Sequence, residues 1–76
     1  MTDHALLNWV IYWNPRDFPN CWVTRRWTID RHGMTPDLVV AYVGNSLDGA
    51  RSVVPHDAIL MPSFPDDDPS INEVWM

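Results

Sequence analysis

Lysine is absent from this chain of 76 residues. Without it there is no Schiff-base nucleophile and no phosphate-loop lysine, which excludes two enzyme classes. Cysteine occurs once, at Cys21, so no intramolecular disulfide can form, and a reducing, cytoplasmic setting is expected. Glycine is scarce: Gly33, Gly44 and Gly49 are too dispersed to build a glycine-rich phosphate loop. No run approaches the roughly 20 apolar residues that a membrane span requires. The opening MTDHALLNW carries an acid and no long apolar stretch, unlike a signal peptide. These absences leave a small soluble chain folded as a single domain over 1–76.

What is present is aromatic and acidic. A domain this short buries only about 60% of its unfolded surface, which leaves it marginal. Trp9, Trp13, Trp22, Trp27 and Trp75 offer compensation, since a buried indole removes on the order of 150–250 Å² from water. Three of them inside would supply much of the core, and a homodimer would bury more apolar surface. Charge is uneven. Residues 1–35 set four arginines against three aspartates, and residues 36–76 set one arginine against seven carboxylates, for a net charge of −5.

Periodicity gives the elements. Residues 8–13, NWVIYW, alternate as a strand rich in β-branched and aromatic side chains. Residues 14–20, NPRDFPN, read as a loop. Residues 21–29 form a second strand that places Val23, Arg25, Trp27 and Ile29 on one face and Trp22, Thr24, Arg26 and Thr28 on the other. Residues 30–37 read as a turn, and LVVAYV at 38–43 is apolar enough to predict a central third strand. A helix-start signal at Asn45 or Ser46 precedes Leu47, Ala50 and Val54 at helical spacing. Residues 58–69 read as extended loop, and 70–76 as a last strand with Ile71, Glu73 and Trp75 on one face. The expected fold class is α+β: a small antiparallel sheet in the order β-β-β-α-β with one helix packed on one face.

VIYWNPRDFPNCWVTRRW at 10–27 and PSFPDDDPSINEVWM at 62–76 resemble small proteins of proteobacteria and their phages. Those carry a V-I-Y-x-x-P-R-D-F-P start and a P-x-D-D-P-x-I-x-E-V-W ending. Between them, SLDGARSVVP at 46–55 stands for the family's T-L-E-E-A-R-x-x-I-P helix, with Gly49 in place of a glutamate. The resemblance implies a phage or prophage setting and no activity of its own. Small acidic phage proteins include inhibitors of host defence, anti-CRISPR proteins among them, and a comparable role is expected here by analogy.

Two candidate binding faces follow. Asp57, Asp66, Asp67 and Asp68 can imitate a nucleic-acid backbone toward a host protein with a basic surface, with Phe64 and Trp75 as apolar anchors. Against this stands a plain role as solubilising charge at a strand entry fixed by Pro69. Alternatively, Trp22, Arg25, Arg26 and Trp27 combine phosphate-binding and base-stacking chemistry, as single-strand binders do. Net negative charge opposes that reading, and the arginines could instead pair with Asp17, Asp30 or Glu73. Direct nucleic-acid binding is therefore the weaker expectation. His4, His32 and His56 show no ligand spacing, the aspartate triplet lacks the EF-hand pattern, and Cys21 sits in no nucleophile signature. No catalysis, metal or cofactor is expected. An enzyme or metabolite binder would need a pocket that the sequence does not advertise.

Overall fold

The computed structural model describes residues 6–62 and 69–76. Five strands, β1 (Leu6–Trp13), β2 (Trp22–Asp30), β3 (Gly33–Pro36), β4 (Tyr42–Gly44) and β5 (Ile71–Trp75), and one helix, α1 (Leu47–Ser52), follow in that chain order but for α1, which precedes β5. All pairings are antiparallel, in the order β3-β2-β1-β5, with β4 also on β2. This is the α+β sheet with one short helix that the sequence predicts. No helix among the described residues is long and apolar enough to cross a membrane.

Alternation along β1 and β2 sets the two faces. Register pairs Trp9 with Arg26, Ile11 with Thr24 and Trp13 with Trp22 on one, and Asn8 with Trp27, Val10 with Arg25 and Tyr12 with Val23 on the other. The helix covers the Ile11–Thr24 face. Ala50, Ile11 and Thr24 are fully buried there, and Thr24 Oγ1 donates to the Ala50 carbonyl at 2.8 Å. A small residue on α1 lets a helix of 6 residues approach closely enough for that bond. Ser46 caps its N-terminus, its Oγ accepting from Gly49 N at 3.1 Å. The core consists of Val10, Ile11, Val23 and Ala50. The tryptophans stand around it half-buried, except Trp13, which is exposed, because so short a helix cannot roof five indoles.

The third strand departs from expectation. Residues 33–36, read as turn, form β3, whereas Leu38 and Val39, read as central strand, project into solvent. Between Trp27↔Pro36 and Thr24↔Tyr42, β2 retreats three residues while its partner advances six. One edge strand is thus interrupted by three extra residues, 38–40. Asp37 N donates to the Arg26 carbonyl and Ala41 N to that of Thr24, pinching the excursion at its base. An edge position leaves extruded side chains nothing to pack against, whatever their hydropathy. A second departure is a bulge in β5: Ile11 faces Glu73 but Tyr12 faces Ile71. The extra residue turns Ile71 to the face opposite Glu73 and Trp75. Third, part of the segment read as loop pairs with β5. Ile59 and Met76 exchange backbone hydrogen bonds, and Leu60 bridges Trp75.

Candidate functional site

Of the acidic-face residues, Phe64, Asp66, Asp67 and Asp68 lie outside the described residues. Asp57 is exposed in the turn that follows the helix. Trp75 is not a free anchor. It is half-buried, its indole Nε1 donates to Glu73 Oε1 at 3.0 Å, and it lines a hollow of about 200 Å³ with Arg51, Val54, Pro55, His56 and Ala58.

Around Glu73 the sheet and helix are tied electrostatically. Arg51 grips its carboxylate with two nitrogens, Nε to Oε1 at 2.9 Å and Nη2 to Oε2. A two-pronged guanidinium–carboxylate pair fixes orientation as well as distance. The Glu73 side chain is only 11% exposed, against 44% for Arg51. Its pKa is lowered, first by the Arg51 hydrogen bonds, against an opposing push from burial, and further by the Trp75 N–H. Arg51 is raised reciprocally by the same hydrogen bonds. The last turn of α1 is thereby clamped to β5.

The arginine–tryptophan strand does not form one surface. Trp22 and Arg26 lie on the helix-covered face, Arg25 and Trp27 on the other. Each of the four has an internal engagement. Arg25 Nη2 meets Asp17 Oδ2 at 2.9 Å, and Arg26 Nε meets Asp37 Oδ2 at 2.8 Å. Trp22 packs on Trp13 with ring centroids 4.9 Å apart, a cross-strand aromatic pair. Trp27 Nε1 donates to the Tyr12 hydroxyl at 3.2 Å. Sequence reasoning raised carboxylate pairing as an alternative, and Asp17 supplies it from the loop before β2 and Asp37 from just beyond β3. Asp37 was not among the partners named because 37 reads as the end of a turn.

Cys21 is half-buried, just before β2, and its carbonyl accepts from Asn14 N at 2.8 Å. His32 belongs to the β2–β3 turn and His56 to the turn after α1. Among the described residues, no three side chains of the histidine, cysteine and carboxylate types converge. What sequence reasoning missed is Leu38 and Val39, the most exposed large apolar side chains among the described residues. Only the neighbouring Pro36, which has no N–H to continue a ladder, hinted at a break. Compared with known proteins, the chain matches no family model, no curated protein and no solved structure.

Proposed function

We propose that this chain is a non-enzymatic binding protein that covers a basic surface of another protein. One observation carries the reading. Arg25, Arg26 and Arg51 are paired with Asp17, Asp37 and Glu73, so most of the positive charge is used inside the fold. Outside those pairs stand seven further carboxylates, Asp3, Asp30, Asp48, Asp57, Asp66, Asp67 and Asp68. Five of those seven carboxylates fall within residues 48–68. A surplus concentrated in that way attracts a basic partner over several ångströms and speeds encounter. An inhibitor of a host nucleic-acid-binding protein, of the anti-CRISPR kind, is the narrowest form of the proposal and rests on size, charge and resemblance.

The test begins with capture from host lysate, nuclease-treated and untreated, eluted by a salt step. A defined protein that survives nuclease and leaves with salt supports the reading. Replacing Asp66, Asp67 and Asp68 together by asparagine is then expected to slow association with that protein and flatten its salt dependence, with the melting temperature unchanged. Association kinetics identical to wild type would sink the proposal. Capture that disappears with nuclease would transfer it to direct nucleic-acid binding.

A further inference from the structure

Two registers meet on the outer edge of β2. β3 sets Trp27 opposite Pro36 and Thr28 opposite Thr35, whereas β4 sets Thr24 opposite Tyr42. The two differ by three residues, and 38–40 absorb the difference. Leu38 is fully exposed there and Val39 is 79% exposed. Among the described residues, the backbone amides of 38–40 donate to no carbonyl. A Leu-Val-Val run is thus held out of a ladder that lies beside it, forgoing both apolar burial and ladder hydrogen bonds.

Continuing the β4 register back through 38–41 would take the run in without a bulge. Val40 would stand opposite Arg26, Val39 opposite Trp27 and Leu38 opposite Thr28. The rows they enter hold apolar neighbours, Trp9 beyond Arg26 and Leu7 beyond Thr28. Val39 would replace Pro36 against Trp27, on the face where a groove runs over Val10. The amino-acid pattern favours this second register, since 30–37 reads as turn and LVVAYV at 38–43 as strand. What it gives up is the pairing of β3 and the Arg26–Asp37 bridge, because Asp37 would move opposite Ile29. The tight turn closed by His32 N on Asp30 Oδ1 at 2.8 Å would widen to 31–35, around a Gly33 already at φ 116°.

We propose that the edge at 33–41 is a register switch, in which the observed register displays Leu38 and Val39 and a second, less populated one withdraws them into the sheet. Beyond Thr24 no residue of β2 is buried, so burial does not pin the register there. Local turn chemistry and one ion pair hold the observed state, and apolar contact holds the other. The core of Val10, Ile11, Val23 and Ala50 takes no part in the exchange, so β2 keeps its place on β1 in both.

Cysteine pairs trap each register by its geometry. In the full chain carrying Cys21→Ser, Thr28→Cys with Thr35→Cys is expected to close a disulfide in the observed register under mild oxidation. Thr28→Cys with Leu38→Cys is expected to close in the second, and faster than Thr28→Cys with Val39→Cys, which that register places on opposite faces. Closure of the Leu38 pair no faster than the Val39 pair overturns the proposal. Should these variants not fold, nitrogen-15 saturation-transfer spectra of wild type and Asp37→Asn decide. The expected minor state has strand-type shifts at 38–40, and its population rises about 1.5- to fivefold in Asp37→Asn, the loss of one exposed ion pair. No minor state in either protein, an unchanged population, or coil-type shifts at 38–40 would overturn the switch.

Discussion

Glu73 accepts three hydrogen bonds, two from Arg51 and one from Trp75, and all of them favour its ionised form. Because its folded pKa is depressed, the resulting stability is present above the ordinary carboxylate range and is lost as pH falls through the folded value. Glu73→Gln should therefore be less stable than wild type at neutral pH, with the gap closing below about pH 4. Denaturant midpoints measured for both proteins across that range check it; a gap constant with pH would mean that Glu73 acts through packing alone. Gly49 makes a different point. A Cβ there would lie 2.4 Å from the Tyr42 hydroxyl, and one at Gly44 would lie 2.3 Å from it, so the tyrosine ring lies against both glycines. A glutamate at 49 would have no room beside it. In a helix interior alanine is better than glycine by about 1 kcal/mol, yet Gly49→Ala should destabilise this protein by displacing Tyr42. In a Tyr42→Ala background the same substitution should stabilise, and thermal melts of the four proteins in that cycle give the sign.

Among the elements, those governed by local chemistry were legible in the sequence and those governed by neighbours were not. The 14–20 loop was readable because Asn14 and Asn20 take the left-handed φ values of 55° and 59° that asparagine tolerates. Asn14 Oδ1 then closes the loop on Asn20 N at 2.7 Å. The helix start was readable from Ser46, whose capping role is local. Of the β2 arginine pairs, Asp17 was legible as a partner and Asp37 was not, because it depends on where the chain beyond β3 returns. Residues 38–40 misled, while Tyr42 and Val43 did become strand, because hydropathy reports what a side chain prefers, and the number of residues between two pairing segments decides what it receives. The β5 bulge was invisible for the same reason: a single uncounted residue moves Ile71 to the other face. These placements make opposite forecasts for two apolar residues. Leu38→Ser should change stability by no more than about 0.5 kcal/mol, whereas Ile11→Ala should cost about 2–5 kcal/mol. Urea titrations of both variants decide whether the apolar run is edge excursion or core.

Across the whole molecule β1 is the strand that joins the near part of the chain to the far one. It has β2, a near neighbour in sequence, on one side and β5, most of the chain away, on the other. That arrangement orders events in time. The β1–β2–β3 meander closes short loops and can assemble first, whereas seating β5 requires closing nearly the full chain, the more costly step in entropy. Val74→Ala, on β5 opposite Val10, should accordingly speed unfolding and leave the folding rate nearly unchanged, while Val23→Ala on β2 should slow folding. Stopped-flow chevrons of the two variants separate these limbs; a folding rate equally reduced in both would put β5 in the nucleus. The groove over Val10 shares this history, because Ile71 and Val74 of β5, with Met61 and Pro62, line it. It does not exist on the half-assembled sheet. Whatever loosens β5 would accordingly undo that face first, shortening the life of the finished fold without delaying its arrival.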